Sequence, residues 1–445
     1  MKISLLKKLS LFSFLFFCLI AYWQASMGNY VCFSDCFQYI VLMGKNIFSL
    51  DYWQTLIRMY RPFTVPMLYS FFGDFTAVHQ QQIVYFQTGF AFIAWVTFAY
   101  SLASTIKNKV FKTIVFAVIL LSMFGRSIYI YNMQLLSDSI ALSLLLLWYS
   151  FIIHLPKIKK SALIFAFFTL FTLIVTCTRD THIFMIIFAV PLLLKMPLHR
   201  HEKILFITLI LYLSIACQLN ATYRHRTNML NIITGVVLPD QEKRDFFIQR
   251  GMPINEKLFR DPEVIKQWDF STLHFAPIHH ANKKVEKVMH GFLNQAQSVY
   301  TRYLLSHPSY IIKNLQNYHQ QIFNQSYTEQ TGHFILTKLS LMDDIPLDGL
   351  ALLGFMALLV HCVLPRTVQQ EKDFLFYAAI FMVAGFTNTV IAFHGDFWSL
   401  AEMKRHTLIG SLFFKMGCVS LLLGTLGETG LFLFAKTPGA TKQNC

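Results

Sequence analysis

Long apolar runs recur along almost the whole chain, and they constrain its fold more than any other feature of the sequence. Most of these runs have roughly 17–22 residues, enough for one helix to cross about 30 Å of hydrocarbon. The chain is 55% hydrophobic and only 14% charged, a composition that a soluble protein of this length could not bury. We therefore predict an all-α polytopic membrane protein with ten transmembrane helices, near residues 9–25, 83–104, 111–127, 135–154, 161–178, 182–195, 204–219, 347–364, 374–393 and 406–424.

The short basic loops predict the orientation of these helices. Lysine and arginine give the chain a formal net charge of +15, which in a membrane protein is expected of cytoplasmic loops rather than of nucleic-acid binding. If the N-terminus is cytoplasmic, the basic loops all fall on the same side, at residues 2–8, 107–112, 157–160, 195–203, 366–372 and 436–442. Cleavage of residues 1–26 as a signal peptide is the alternative, and it would release the first outer loop from its anchor.

This topology divides the chain into three parts. An N-terminal transmembrane module, 1–219, contains a first outer loop, 26–82, with juxtamembrane helices. A helical segment on the outer face, 220–345, follows, and a C-terminal transmembrane module covers 346–445. Residues 425–436 are predicted as either an interfacial helix or part of an eleventh span.

Two segments outside the spans have the periodicity of helices that lie along a membrane. The pattern over 47–60 predicts an amphipathic helix whose apolar stripe is formed by Ile47, Leu50, Ile57 and Tyr60. The stretch His307–Phe323, "HPSYIIKNLQNYHQQIF", has helical spacing and a proline at an early position, where a helix tolerates it.

The eight cysteines show no zinc-binding or disulfide spacing. Cys32 and Cys36 flank Asp35, but two residues four apart on a helix are poorly placed for a disulfide. We therefore expect these cysteines to act as small apolar side chains.

Ionisable residues concentrate at the predicted outer ends of the spans. Because such groups are costly near a membrane, they usually pair with one another or line a wet cavity. We hypothesise that they converge on one outward-facing cavity: Asp35, Arg58, Arg61, Asp74, Asp138, Arg179, Asp180, His394, Asp396, Glu402, Arg405 and His406.

Each of these residues also has a purely structural interpretation. Asp35 and Asp138 could cap helices, and Arg61 could extend to phospholipid head groups. Arg179 and Asp180 could simply pair with each other. The stretch "HGDFWSLAEMKRH" could be an ordinary polar turn.

Five stretches carry a family resemblance through their order along the chain. "SDCFQYI" places an acid soon after the first span, "RPFTVPMLY" contains an Arg-Pro pair, and "LSDSIALSLLLL" opens the fourth span. "CTRDTHIF" closes the fifth span and "MKRHTLIG" opens the last. In this order the chain resembles the GT-C superfamily of membrane glycosyltransferases, which includes polyprenyl-phosphate-dependent mannosyltransferases and aminoarabinose transferases.

The resemblance covers most of residues 1–200 and 290–410 and leaves 220–290 unmatched. The chain departs from the family pattern at two positions of interest. Asp138 stands where Glu is commoner, which keeps the charge and shortens its reach. Asp180 replaces the usual Pro, which puts phosphate binding by Arg179 in question if the two residues pair.

The resemblance implies an inverting transfer of a sugar at the outer face, with a role for each candidate residue. Asp35 would be the general base. Asp138 would orient the acceptor, share a divalent metal with Asp35 or pair with an arginine; no cofactor is obligatory, and Mg²⁺ or Mn²⁺ is left open. Arg61, Arg179 and Arg405 would bind the donor phosphate. The remaining candidates would bind substrate: Tyr39, Arg58, Asp180, His394, Asp396, Glu402 and His406.

The implied partners are a polyprenyl-phosphate-linked sugar, a lipid, glycan or protein acceptor, and membrane lipids. The expected location is a bacterial inner membrane, with the site facing the periplasm; the endoplasmic reticulum would obey the same charge rule. A flippase for a lipid-linked glycan, a glycan polymerase or ligase, and a non-catalytic scaffold are the alternatives. A transporter would usually show repeated halves and broken helices, and a polymerase would normally lack the early acid.

Overall fold

A computed structural model shows that the described part of the chain is helical, as predicted. It describes residues 16, 36–58, 62–125, 128, 131–155, 158, 162–179, 181–187, 190, 194, 199–220, 222–265, 275–323, 347–363, 372–395 and 400–435, and no strand occurs among them. The first predicted span, near 9–25, lies outside these residues apart from Phe16.

Nine helices of this set come from the predicted N-terminal module and nine from the rest of the chain. The first nine are α1 (Cys36–Ile40), α2 (Leu50–Arg58), α3 (Thr64–Ser70), α4 (Ala77–Ala103), α5 (Lys109–Leu121), α6 (Asp138–His154), α7 (Ala162–Thr176), α8 (His182–Ile187) and α9 (Arg200–Asn220). The others are α10 (Thr222–Ile232), α11 (Gln241–Ile248), α12 (Glu256–Phe259), α13 (Phe275–Met289), α14 (Leu293–Ser306), α15 (Pro308–Phe323), α16 (Leu347–Val363), α17 (Lys372–Gly395) and α18 (Leu400–Ala435).

Three of the described helices are long and apolar enough to cross a membrane by length and composition. They are α4, the Asp373–Gly395 part of α17 and the His406–Gly427 part of α18. Shorter apolar helices occur at Asp138–His154 and Ala166–Thr176. The total of ten spans therefore stays a prediction, and α5, at 13 residues, is about 20 Å long and shorter than the predicted span at 111–127.

The last helix is longer than the sequence pattern indicated. Helix α18 continues without interruption for 36 residues, which is about 54 Å of helix. Residues 425–435 therefore continue the last predicted span, so neither a separate interfacial helix nor an eleventh span begins there. No proline interrupts the helix, and Gly424, Gly427 and Gly430, which could have ended it, do not.

Aromatic side chains join helices of the two predicted transmembrane modules in one core. The ring of Phe381 on α17 lies 5.4 Å from that of Phe98 on α4 and 4.9 Å from that of Tyr149 on α6, measured between centroids. Phe413 on α18 lies 5.3 Å from Tyr149. Edge-on and tilted aromatic contacts of this kind stabilise a core beyond the burial of their surface.

Helices α17 and α18 approach each other closely because glycines lie at their contact. A Cβ atom on Gly385 would overlap the backbone nitrogen of Phe414, and one on Gly417 would overlap the backbone nitrogen of Met382. Small residues allow this approach, which matters in lipid because helices there associate through packing and not through the hydrophobic effect.

We therefore expect Gly385→Ala and Gly417→Ala to destabilise the protein by about 1–3 kcal/mol, the usual cost of overpacking. The measurement is the thermal melting temperature of the purified protein in detergent. Gly89→Ala on α4 is the matched control, because nothing lies within 4 Å of the added methyl group. Equal melting temperatures for all three variants would contradict the close packing.

The first loop packs against the start of α4 and the start of α6 in a second, smaller buried core. Cys36, Tyr39, Val65, Tyr69 and Leu136 are among the buried residues of this core. Tyr52 is buried on α2, and its hydroxyl group is hydrogen-bonded to the hydroxyl group of Ser70, with 2.9 Å between the two oxygens. Of the predicted stripe, Leu50 is 73% exposed and Ile47, just before α2, is half-buried. The side chains of Ile57 and Tyr60 are outside the described part of the chain.

The expectation for the cysteines is wrong at one position. Cys36 is disulfide-bonded, whereas Cys177 and Cys418 are free and buried. The spacing argument held only for a regular helix that contains both Cys32 and Cys36, and Cys32 lies outside the described residues.

The outer segment is helical over its described residues, as predicted, and comprises α10 to α15 with a π-helical turn at Ile233–Val237. Helix α15 begins at Pro308 and ends at Phe323. The predicted early position of the proline in this helix is therefore confirmed. A helix tolerates proline there because the N–H groups of its first turn have no partner within the helix, and proline has no N–H.

Candidate functional site

Polar side chains from five separate segments meet at one end of the helix bundle. Tyr39 comes from α1, Tyr69 from α3, Gln87 from α4, Ser137 and Asp138 from the start of α6, and Arg179 from the turn after α7. All six are buried. We term Tyr39, Tyr69, Gln87, Ser137, Asp138 and Arg179 the Asp138 cluster.

An ion pair between Asp138 and Arg179 lies at the centre of the cluster. Arg179 Nη1 donates a hydrogen bond to Asp138 Oδ1, and the two residues are only 2% and 8% exposed. Either charge alone would be costly to bury, so their contact holds the start of α6 against the end of α7. The pair also places a carboxylate in the first turn of α6, where the helix dipole favours it.

One structural interpretation of these residues is corrected. Asp138 is the first residue of α6 and Ser137 is the N-cap residue, without a side-chain capping bond, so Asp138 does not cap this helix: its carboxylate is bonded to Arg179 instead. Arg179 pairs with this acid across 41 residues of sequence, and its pairing with Asp180 stays a prediction. Asp180 itself lies outside the described residues.

Tyrosine hydroxyl groups attach the first outer loop to the segment before α6. Tyr39 Oη lies 3.0 Å from Ser137 Oγ, and Tyr69 Oη donates to the carbonyl oxygen of Leu136 at 2.8 Å. The Gln87 amide lies 2.6 Å from Tyr69 Oη. Burial, with smaller effects of neighbouring Tyr39 and Asp138, raises the pKa of Tyr69 well above its usual value, so its phenol stays protonated and acts as a donor.

Three further hydrogen bonds fix the turn that carries Arg179. The Thr64 hydroxyl at the start of α3 donates to the Ile174 carbonyl at 3.1 Å, and the Thr64 N–H donates to the Cys177 carbonyl at 3.4 Å. From the C-terminal part of the chain, Asn388 Nδ2 on α17 donates to the Thr181 carbonyl at 2.8 Å. The turn is thus held by the first outer loop on one side and by a candidate span on the other.

Sequence reasoning missed one residue beside this turn, His182. Its ring is fully buried, and it lies close enough to Arg179 and Asp138 for their charges to act on it. Nδ1 lies 3.1 Å from the Val175 carbonyl oxygen. The residue belongs to the quoted stretch "CTRDTHIF", but as the first residue of a predicted apolar span it was assigned no role.

The structure brings together three of the predicted site residues: Tyr39, Asp138 and Arg179. His394, at the end of α17, is buried, with its ring 4.8 Å from that of Phe393 and 6.3 Å from that of Tyr310 on α15. His406 is partly exposed on α18.

Of the other candidates, Asp74 is exposed, with a carboxylate oxygen 3.7 Å from His79 Nδ1, and is not among the buried residues of the cluster. The rest are not described in full. Asp35, Arg61, Asp180 and Asp396 lie outside the described residues. Arg58 lies on α2, and Glu402 and Arg405 lie on α18, without described side chains. Within the described residues, no group of three or more His, Cys, Asp or Glu side chains could hold a metal. A metal shared by Asp35 and Asp138 stays a prediction.

In comparisons with known proteins, the chain matches no protein-family model and shows no significant similarity to a curated protein.

Breaking the central ion pair should strongly destabilise the protein. Arg179→Met leaves the Asp138 carboxylate buried without its counter-charge, and we expect a loss of about 3–5 kcal/mol. The double variant Asp138→Leu/Arg179→Met should lose less than Arg179→Met alone, because it removes both charges. Unfolding of the purified protein in detergent, followed by heat or denaturant, measures both effects.

Arg260→Met is the control, since Arg260 and Glu256 form an exposed pair at 2.7 Å, with 81% and 72% of their side chains accessible. Such a surface pair contributes little. A loss for Arg179→Met no larger than the loss for Arg260→Met would mean that the Asp138 charge is not buried as described.

Proposed function

We propose that the chain is a GT-C-type glycosyltransferase that transfers a sugar from a polyprenyl-phosphate carrier to an acceptor at the outer face of a bacterial inner membrane. The observation that carries the proposal is the convergence of the first outer loop with the start of α6 and the end of α7. The family resemblance rests on motifs in these three segments, and they are far apart in sequence. Their contact through Tyr39, Tyr69, Asp138 and Arg179 is what a shared site requires.

The disulfide at Cys36 supports an outer location for the first loop. Disulfides form and persist in the periplasm and other oxidising compartments, whereas cytosolic thiols are kept reduced. Cys36 opens α1 and directly follows Asp35. The side of the membrane that the basic loops predict for this segment is therefore the side on which its disulfide would be stable.

In the proposed reaction, an acceptor hydroxyl oxygen attacks the anomeric carbon of the donor sugar. The new carbon–oxygen bond forms as the bond from the anomeric carbon to the phosphate oxygen breaks, and the polyprenyl phosphate leaves with that electron pair. Asp35 takes the proton of the acceptor hydroxyl, because a hydroxyl is a weak nucleophile at neutral pH. Arginine side chains stabilise the charge that grows on the leaving phosphate.

The Asp138–Arg179 pair would orient the phosphate in this site. Asp138 accepts a hydrogen bond from Nη1 of the Arg179 guanidinium, which restricts the orientation of that group. The Arg179 side chain remains 10% exposed. A planar, fixed guanidinium can present its remaining N–H groups to phosphate oxygens in a defined direction. Asp138 therefore serves as a positioning residue, and Arg179 as a donor-phosphate ligand.

Asp35→Asn should lower the rate of sugar transfer by at least about 100-fold, because general-base catalysis contributes that much or more to the rate. Mass spectrometry of cell-envelope glycans would compare a deletion strain, the wild type and Asp35→Asn at matched expression, with melting temperature as the check on folding. Asp51→Asn is the matched control, since Asp51 is an exposed acid of the same loop that pairs with Lys45 at 2.5 Å.

The glycan comparison also separates the alternatives. If the deletion strain and Asp35→Asn lose the same sugar, the missing mass identifies what the enzyme adds. If the deletion strain lacks the sugar but the strain with Asp35→Asn still has it, the assignment of Asp35 as general base is wrong. A transport or scaffolding function would then be favoured over catalysis.

Arg405→Ala should weaken use of the lipid donor more than binding of the acceptor. The loss of a charge-assisted hydrogen bond to phosphate predicts that the donor concentration for half-maximal rate rises about tenfold or more. Rates measured against donor and acceptor concentration in turn would test this. Arg302→Ala, an exposed arginine of α14, is the control, and an unchanged donor dependence in Arg405→Ala would remove Arg405 from the site.

A further inference from the structure

We propose that His182 recognises the transferred sugar, with Nε2 accepting a hydrogen bond from a hydroxyl or amide N–H on the carbon next to the anomeric carbon. The inference rests on the proposed function, because it assumes that a glycosyl phosphate binds at Arg179. It adds a specificity-determining residue and a requirement on the chemical class of the sugar: a hydrogen-bond donor at that carbon.

The hydrogen bond at Nδ1 fixes the tautomer of His182. A carbonyl oxygen can only accept, so Nδ1, at 3.1 Å from Val175 O, must carry the ring proton. In the neutral ring Nε2 then bears a lone pair. This nitrogen is buried, and in the part of the chain that the structure describes no donor reaches it.

A buried acceptor without a donor calls for a ligand or a water. Most buried polar side-chain atoms in folded proteins have a hydrogen-bond partner. The structural role of His182 is complete with the bond from Nδ1 to Val175, and an asparagine could supply that bond. Within the described residues Nε2 makes no hydrogen bond, and a donor group on a bound ligand would complete it.

The position of His182 indicates which ligand group it meets. His182 N–H donates to the Arg179 carbonyl at 3.1 Å, so the imidazole and the guanidinium project from the same turn, and this turn is fixed by the bond from Asn388 to Thr181. A ligand that touches both side chains must carry an anion and a hydrogen-bond donor close together. In a glycosyl phosphate, the substituent next to the anomeric carbon is the sugar donor group nearest the phosphate.

Two substitutions separate the structural bond of His182 from the proposed one. His182→Asn keeps an N–H near the position of Nδ1, facing Val175, and removes the acceptor at Nε2. His182→Gln places an amide near the position of Nε2 and can restore an acceptor there. Both variants are compared with the full-length wild type in detergent, with melting temperature as the measure of folding.

The probes are undecaprenyl phosphate, its glucosyl, mannosyl and galactosyl phosphates, and the 2-deoxyglucosyl phosphate that lacks the donor group. Affinity is measured by the ligand-dependent rise in melting temperature. We expect the wild type to bind at least one hexosyl probe about tenfold or more tightly than undecaprenyl phosphate or the 2-deoxy probe, because an unmatched buried acceptor is costly. His182→Asn should bind all probes as it binds undecaprenyl phosphate, and His182→Gln should regain part of the preference.

The outcomes distinguish failure of this inference from failure of the proposed function. If the wild type binds undecaprenyl phosphate but does not prefer any hexosyl probe over the 2-deoxy probe, the inference is wrong and the proposed function stands. Retention of the preference by His182→Asn also overturns the inference. If the wild type binds none of the lipid phosphates, the proposed function fails, and the inference fails with it. Should His182→Asn not fold, the 2-deoxy comparison in the wild type alone decides.

Discussion

The buried contact between Asp138 and Arg179 determines how this end of the described helix bundle is built. A carboxylate and a guanidinium that are both removed from water tolerate burial only in each other's presence. The start of α6 and the end of α7 must therefore stay in register, since a shift of one turn would separate the charges. Tyr39 and Tyr69 close over the pair and bring α1 and α3 of the first loop with them. The loop helices are thus positioned by the same interaction that fixes the two apolar helices.

A second kind of contact connects this polar end to the C-terminal helices. Helices in hydrocarbon gain little from the hydrophobic effect, so close packing and hydrogen bonds between helices hold them together. The glycines of α17 and α18 supply the close packing. Asn388 of α17 supplies the hydrogen bond, and it bonds the backbone of the turn that carries Arg179. The position of the guanidinium therefore depends on helices from both predicted modules.

Much of this architecture follows from the sequence, because apolar runs and basic loops reflect the solvent around a helix. The helical class, the outer segment and the start of α15 at Pro308 were predictable in this way. The length of α18 was not, since Gly427 and Gly430 lie past residue 424 and yet the helix continues through them. The convergence of Tyr39, Asp138 and Arg179 could be hypothesised but did not follow from the sequence alone: tertiary packing decides which acid pairs with Arg179, and the neighbour Asp180 was an equally good candidate. The buried face of α2 was also ambiguous, because a helix at an interface can turn its apolar stripe to lipid and Tyr52 to protein.

The charge balance of the Asp138 cluster has a consequence for the proposed reaction. Asp138 offsets the charge of Arg179, so the pair offers a lipid phosphate directed hydrogen bonds but little net positive charge. The phosphate of the donor carries one negative charge as a diester, and it gains a second as the bond to the sugar breaks. Stabilising that second charge requires a cation that is not already neutralised. In the proposed enzyme, Arg61 and Arg405 would supply it, while Arg179 sets the direction of the phosphate and His182 selects the sugar attached to it. Binding and catalysis would then depend on different arginines, with the paired one contributing geometry and the others contributing charge.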